Sequence, residues 1–99
     1  SRTSIPDILE LIVADNESHY VNYFNNSHAV TPRLHSLEMI PGIGKTFLSQ
    51  ILKERENKPF TSFSDISDRI NLKEPAQLIA KRLIEEISGD AKLNLFVRN

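Results

Sequence analysis

The sequence predicts a mainly α-helical domain of about five short helices, and three observations support this. Apolar residues recur at helical spacing in several segments, Pro, Ser or Thr stands where those segments begin, and glycine is confined to two short turns. The chain has 99 residues, of which 39% are apolar and 25% charged, which is typical of one globular domain. We therefore expect residues 1–99 to form a single helical domain.

The N-terminal third contains two segments with helical character. Pro6 opens the first, in which an apolar stripe recurs at three- and four-residue spacing and is expected to face the core. The second spans residues 19–25, where the aromatic residues fit core packing better than base stacking. The stripe consists of Ile5, Ile8, Leu9, Ile12 and Val13, and the aromatic residues are Tyr20, Tyr23 and Phe24.

The most informative feature is a glycine-containing turn between two apolar-periodic segments. Two glycines one residue apart allow a positive φ, or a close approach of the backbone to a ligand. The following helix is expected to begin near Lys45, so that its unpaired amides and positive dipole end face the turn. Helix ends of this kind bind anions. The turn reads Ile40-Pro41-Gly42-Ile43-Gly44-Lys45.

Both flanks of this turn carry helical signals. Thr31 is a candidate N-cap and Pro32 suits the first helical position, after which apolar residues recur every three positions. The segment after the turn has the pattern of a core-facing helix. The apolar residues are Leu34, Leu37 and Ile40 before the turn and Phe47, Leu48, Ile51 and Leu52 after it. The sequence therefore predicts helix, turn and helix over residues 31–56.

This arrangement resembles the helix-hairpin-helix motif, in which an apolar residue, Pro, Gly, an apolar residue and Gly precede a small or basic residue. The resemblance implies that Gly42, Ile43 and Gly44 bind a nucleic-acid phosphate through the backbone, with Lys45 and Thr46 at the helix start. It also implies a monovalent cation at the turn, and no other cofactor is expected. Such contacts position a protein without reading bases. The alternative is a turn that only holds two helices together.

Residues 60–87 resemble a degenerate second copy, as in tandem helix-hairpin-helix, SAM-like domains. Ser62 or Ser64 is a candidate N-cap for a short helix, and Pro75 opens a final helix. The turn at residues 71–74 has no glycine, so we expect it to be structural. The final helix is expected to turn four apolar residues inward, namely Leu78, Ile79, Leu83 and Ile87.

The C-terminal residues 92–97 show a period-two pattern that predicts a β-strand, because Leu93, Leu95 and Val97 alternate with other residues. A single strand needs a partner. We expect this strand to pair with an N-terminal half that is missing from this chain, or to pack its apolar side on the helices.

Beyond the turn, the chain resembles an archaeal family of unknown function that is predicted to bind RNA, over nearly all 99 residues. The resemblance implies that an OB-like barrel precedes the helical half, and that this chain, which begins without Met, is the C-terminal half alone. It is carried by Arg33-Leu34-His35, residues 37–45, Lys58-Pro59-Phe60, Ser62-Phe63, Asp65-Ile66 and Leu95-Phe96-Val97.

The charge distribution favours weak nucleic-acid binding. The net charge is −1 and the isoelectric point is near 6.3, so the broad basic surface of a strong binder is lacking. Residues 31–59 nevertheless carry five basic residues against three acidic ones. We therefore expect Arg33, Lys53 and Lys58 to flank the turn in a weak, salt-sensitive interface that needs a partner domain.

The sequence gives little support for a metal site, a nucleotide-binding loop or a catalytic site. The chain has no cysteine, and His19, His28 and His35 with Glu38 lack the spacing of a metal site. Gly44-Lys45-Thr46 lacks the glycine spacing and preceding strand of a nucleotide-binding P-loop. Adjacent carboxylates point apart on a helix, so Glu85 and Glu86 are expected to form a solvated face and not a catalytic pair.

No apolar run is long enough to span a bilayer, and we expect no signal peptide, because the first residues lack its apolar segment. We expect a cytoplasmic protein with no membrane contact. The sequence thus predicts non-catalytic, sequence-nonspecific binding of a nucleic-acid backbone, with RNA favoured over DNA on the family resemblance. The alternative is a protein–protein or interdomain interaction module in which the hairpin is structural.

Overall fold

The computed structural model describes residues 4–97, which form five α-helices, two short strands and one turn of 3₁₀ helix. The mainly helical fold is therefore confirmed. None of the helices within this range has the length and apolar character of a membrane span. In chain order the elements are α1 (Ile5–Asp15), α2 (Glu17–Asn26), β1 (Ala29–Thr31), β2 (Leu34–His35), the 3₁₀ helix (Ser36–Met39), α3 (Lys45–Asn57), α4 (Phe63–Ile70) and α5 (Pro75–Ile87).

A single apolar core lies among the helices. α1 runs along α5, and α4 packs on both α3 and α5. Every α-helix contributes at least one buried apolar residue, and burial of this surface is the main favourable term in folding. The largest fully buried side chains are Phe24, Leu37, Ile40, Ile51, Ile66, Ile79 and Val13.

Helix starts follow the capping signals in the C-terminal half. Ser62 caps α4, because its hydroxyl accepts a hydrogen bond from the Asp65 amide at 2.9 Å. Pro75 stands in the first turn of α5, where a missing amide proton costs nothing. The glycine-free turn before α5 places Asn71 and Glu74 at φ values of 57° and 53°. Both residues adopt the left-handed conformation although neither is a glycine.

The prediction of an α-helix before the glycine turn, from Thr31 onward, is wrong. Strand β1 pairs antiparallel with β2, and only the one-turn 3₁₀ helix follows. The Thr31 hydroxyl accepts a hydrogen bond from the Arg33 amide at 3.3 Å, which stabilises a tight turn around Pro32. Because Pro suits the second position of a turn as well as the first position of a helix, the same residues start a hairpin here.

The prediction of a C-terminal β-strand is also wrong, because residues 92–97 form no strand. The amides of Leu95, Phe96 and Val97 do not form a ladder with another strand. All three donate to the carboxylate of Glu86, at 2.8, 3.0 and 2.8 Å. Three successive amides that converge on one anion cannot keep the alternating directions of a strand. The segment 92–97 is instead an irregular loop held against α5.

The prediction of a solvated face at Glu86 is wrong for the same reason. Glu86 is buried, and its carboxylate pairs with Arg82 at 3.0 Å on the same helix. Phe96 of the bound segment packs edge-on against two aromatic rings of α2, with ring centroids 5.3 Å from Tyr20 and 4.9 Å from Tyr23. The C-terminal segment therefore completes the core on this side.

The apolar stripe of α1 is only partly in the core. Val13 is buried and Leu9 half-buried, but the other members of the stripe are exposed. Ile87, predicted to face inward from α5, is exposed as well. Since α1 packs along α5, these side chains leave an exposed apolar surface on the helix pair. We call it the α1 face; its residues are Ile5, Ile8, Leu11, Ile12 and Ile87.

Candidate nucleic-acid interface

The glycine turn begins with a hydrogen-bonded reversal of the chain. The Ile43 amide donates to the Ile40 carbonyl at 3.1 Å, and both side chains are buried. Pro41 occupies the second position of this turn and Gly42 the third, with φ at 92°. Proline followed by a residue of positive φ is the pattern of a type II turn. The two isoleucines fix the turn to the core, and the backbone between them bulges to the surface.

The two glycines of the turn have different roles. Gly42 needs a positive φ, and a Cβ atom there would lie 3.1 Å from the Leu78 side chain of α5. Gly44 is extended, with φ at −95° and ψ at −167°, a conformation open to any residue. A Cβ atom on Gly44 would meet nothing within 4 Å. Gly42 is therefore required by the fold, whereas Gly44 leaves an open surface.

That open surface is the N-terminus of α3. Gly44 is the N-cap residue, no side chain caps the helix, and no acidic residue stands in its first turn. The Gly44 carbonyl accepts the first helical bond from Leu48 at 2.9 Å. Lys45 and Thr46 are exposed at the first two helical positions. The amides and the positive dipole end of a 13-residue helix are thus presented at the surface.

Lys45 turns back toward the 3₁₀ helix. Its ammonium group donates to a Glu38 carboxylate oxygen at 2.9 Å and to the Arg33 carbonyl at 2.9 Å. The amide of His35 donates to the same Glu38 oxygen at 3.0 Å. The His35 amide, followed by the Lys45 ammonium, lowers the pKa of Glu38. Since the Lys45 side chain is 70% exposed, this ion pair is weak and can open toward a ligand.

The basic residues predicted to flank the turn are only partly brought together. Arg33 is exposed in the β1–β2 turn, and its carbonyl contacts Lys45. Lys53 lies about 12 Å along α3 from Lys45, and Lys58 about 20 Å, at the 1.5 Å helical rise per residue. At that far end of α3 the Lys58 carbonyl accepts a hydrogen bond from the Arg69 guanidinium at 2.7 Å. Only Arg33 joins residues 42–46 in one small surface.

Acidic residues limit the positive charge of this surface. Glu38 and Glu85 line an open concavity of about 540 Å³ together with residues 39–44. Their carboxylates oppose an anion on that side of the turn. Within residues 4–97, no group of three His, Asp or Glu side chains is arranged to hold a metal ion.

The capping role of His35 was not predicted from the sequence. His35 is buried and caps the 3₁₀ helix, because its Nδ1 atom accepts a hydrogen bond from the Leu37 amide at 3.1 Å. Burial, with help from Arg55, lowers the pKa of His35, and Glu38 opposes this. The spacing of His35 and Glu38 is that of a capping box with His in place of Ser or Thr, and this signal was available in the sequence.

The fold and this surface define a small, mainly helical domain that presents an uncapped helix start beside a glycine turn. The chain belongs to the family described as "Protein of unknown function (DUF655)", whose model matches residues 1–98. It is 45% identical over 76 residues to the uncharacterized protein MJ0038 of Methanocaldococcus jannaschii. The match covers 77% of this chain and 35% of that protein.

The fold is also that of a solved relative. The crystal structure of Af1531 from Archaeoglobus fulgidus matches with a TM-score of 0.86 and 38% sequence identity. The match covers 95% of this chain and 53% of Af1531. Both relatives are archaeal, in agreement with the family resemblance. This chain therefore spans about a third of one relative and about half of the other.

Proposed function

We propose that residues 42–46 bind the phosphate backbone of a nucleic acid, without catalysis and without reading bases, in the manner of a helix-hairpin-helix motif. The observation that carries this proposal is that a glycine stands at position 44 although the fold does not need one there. Neither its backbone conformation nor its packing requires glycine. The missing side chain leaves the first amides of α3 open, and those amides are suited to phosphate oxygens.

The neighbouring side chains fit a phosphate contact. The Thr46 hydroxyl is exposed beside the helix start and is able to donate a further hydrogen bond. Exchange of the Lys45 ammonium from Glu38 to a phosphate oxygen costs about 0–1 kcal/mol, the range for exposed ion pairs. Arg33 supplies a second exposed cation nearby. We expect the first contact to be made by backbone amides and strengthened by the two exposed charges of Lys45 and Arg33.

We expect this binding to be weak in the isolated chain. Glu38 and Glu85 lie on the same concavity, and Lys53 and Lys58 lie too far along α3 to contact the same phosphate. The additional length of the relatives agrees with a second domain that contributes affinity, and the family resemblance suggests an OB-like barrel. The preference for RNA, the monovalent cation at the turn and a cytoplasmic location rest on sequence reasoning and stay predictions.

Amide NMR shifts test this proposal. Single-stranded RNA, duplex RNA and duplex DNA of matched length are titrated into the chain at low and moderate salt. We expect all three to shift the amides of residues 42–46, with an affinity that falls as salt rises, because phosphate binding releases counterions. A flat response of these amides at millimolar ligand would contradict the proposal.

A second function is favoured by the α1 face. Its five aliphatic side chains are between 44% and 69% exposed, and burial of these side chains by a partner protein would be favourable. In an interaction module the glycine turn would be purely structural. Sedimentation of the wild type and of Leu11→Gln tests this function. Association that Leu11→Gln abolishes would support it, and a monomer at high concentration would weaken it.

A further inference from the structure

A groove of unusual composition lies beside α2. It consists of two adjoining cavities of about 310 and 350 Å³, which share Tyr23, Asn26 and Leu95. α2 forms one wall, the β1–β2 hairpin and the start of the 3₁₀ helix form another, and the C-terminal segment closes the end. Its size is that of a small-ligand site.

The groove is lined by apolar surface and by uncharged polar side chains, together with two histidines. No Asp, Glu, Lys or Arg lines either cavity, although a quarter of the chain is charged. Three asparagines line it instead, Asn22 and Asn26 one turn apart on α2, and Asn94 on the C-terminal segment. An amide side chain offers two donor hydrogens and an acceptor, which is the chemistry that reads the edge of a nucleobase. Asn26 uses one of its hydrogens in a bond to the Asn22 carbonyl at 2.9 Å.

Aromatic rings stand beside these amides. Tyr23 lines both cavities and Phe96 lines the second, and their rings pack edge-on with centroids 4.9 Å apart. The imidazole of His19 lines the second cavity and that of His28 the first. RNA-binding proteins hold unpaired bases by stacking them on such rings while polar side chains bind the base edges.

The groove and the glycine turn share the β1–β2 hairpin. Val30 of β1 lines the groove, while the Arg33 carbonyl in the hairpin turn binds Lys45 at the start of α3. Ser36 also lines the groove and begins the 3₁₀ helix that leads into the glycine turn. The hairpin therefore contributes residues to both surfaces.

We propose that this groove binds an unpaired base of a single-stranded nucleic acid whose phosphate lies on residues 42–46. The inference rests on the proposed function, since the turn supplies the phosphate contact. The groove adds a preference for single strands over duplexes, because the base edges of a duplex are already paired. It also requires a base, whereas the turn requires only a backbone.

Fluorescence anisotropy with three probes tests the groove. The probes are a labelled eight-nucleotide RNA strand, the same strand in a duplex, and an abasic strand of equal length. The wild type is expected to bind the RNA strand about tenfold more tightly than either other probe, the gain for one base edge bound by the asparagine amides. Asn22→Ala combined with Asn26→Ala is expected to remove this difference while leaving binding of the duplex unchanged.

Control variants separate binding from folding. Alanine favours helix more than asparagine, so the double variant should stay folded. Ser18→Ala changes an exposed residue of α2 that does not line the groove, and should leave all three affinities unchanged.

The outcomes distinguish this inference from the proposed function. If the wild type binds the three probes equally, the groove does not bind a base. The same conclusion follows if the double asparagine variant still prefers the single strand. Neither result contradicts phosphate binding at residues 42–46. Binding of none of the probes would overturn both. NMR shifts at Asn26 and Asn94 with the RNA strand, and their absence with the abasic strand, would support the groove directly.

Discussion

Arg82 and Glu86 form a buried ion pair one turn apart on α5, with 3.0 Å between Nε and a carboxylate oxygen. The same guanidinium donates to the Leu93 carbonyl and, at 3.2 Å, to the Met39 carbonyl at the end of the 3₁₀ helix. Glu86 also accepts the three C-terminal amides. The pair thus joins α5, the C-terminal segment and the approach to the glycine turn in one hydrogen-bonded network.

Loss of the Glu86 charge should destabilise the fold strongly. Glu86→Gln leaves Arg82 buried without its counter-ion, and breaking a buried pair in this way costs about 3–5 kcal/mol in the free energy of unfolding. Urea unfolding measures this change. Glu85→Gln is the matched control, because Glu85 is 40% exposed and 3.8 Å from Arg82, and it should change stability by less than about 0.5 kcal/mol. Equal effects of the two substitutions would contradict the network.

The two glycines of the turn should respond differently to substitution. Gly42→Ala forces a side chain into positive φ against Leu78, which we expect to cost about 1–3 kcal/mol. Gly44→Asn places a preferred N-cap residue at the start of α3 in open space, and should raise stability by a few tenths of a kcal/mol. Thermal unfolding of both variants checks this. A Gly44 variant that is as damaged as Gly42→Ala would show that both glycines are structural.

Stability should fall as the pH drops below 6.5, the ordinary pKa of histidine. Burial lowers the pKa of folded His35, so the unfolded chain binds the proton first, and the stabilising contribution is complete only above 6.5. This contribution is lost as the pH falls from 6.5 through the lower pKa of His35 in the folded chain. Unfolding curves between pH 5 and 8 measure the slope.

His35→Asn isolates the residue responsible. Asparagine caps helices but does not titrate. This variant should therefore keep the cap, and its free energy of unfolding should no longer depend on pH between 5 and 6.5. Glu38 and Glu86 have lowered pKa values, so their stabilising contributions are lost as the pH falls from the ordinary carboxyl pKa of 4.5 through the lower folded pKa, which lies below this window. An unchanged slope in the variant would assign the pH dependence to another group.

Lys45 should matter to binding and hardly to stability. Lys45→Gln removes an exposed ion pair with Glu38, which is worth less than about 1 kcal/mol. The same substitution should weaken RNA binding and reduce the slope of log K against log salt by about 0.7–0.9 for one lost phosphate contact. Lys53→Gln, farther along α3, should leave the slope closer to that of the wild type. Equal slopes for the wild type and Lys45→Gln would exclude Lys45 from the interface.

The sequence was most informative where a local signal decides the structure. Ser62 and Pro75 start helices because a cap or a fixed φ acts within one turn of chain. Thr31 and Pro32 are compatible with a helix start and with a hairpin turn. Tertiary contacts, among them the binding of Lys45 to the Arg33 carbonyl, accompany the hairpin, and no pattern in residues 31–40 specifies them.

The C-terminal segment shows the same limit. Alternation of apolar residues in residues 92–97 is typical of a strand, but the fold brings the Glu86 carboxylate to the amides that a strand would pair. In the candidate site, the turn and the start of α3 lie where the sequence predicts them. The engagement of Lys45 by Glu38 and the distance to Lys58 depend on how the 3₁₀ helix and α3 pack, and a single sequence does not carry that information.

The most direct measurement of the central claim compares Gly44→Asp with Gly44→Asn in RNA binding. The two side chains have nearly the same shape and cap α3 about equally, so both variants should be at least as stable as the wild type. They differ in one negative charge at the proposed phosphate position. We expect Gly44→Asp to bind a labelled RNA strand at least about tenfold more weakly than Gly44→Asn, about 1.4 kcal/mol. Equal affinities of the two folded variants would contradict phosphate binding at this turn.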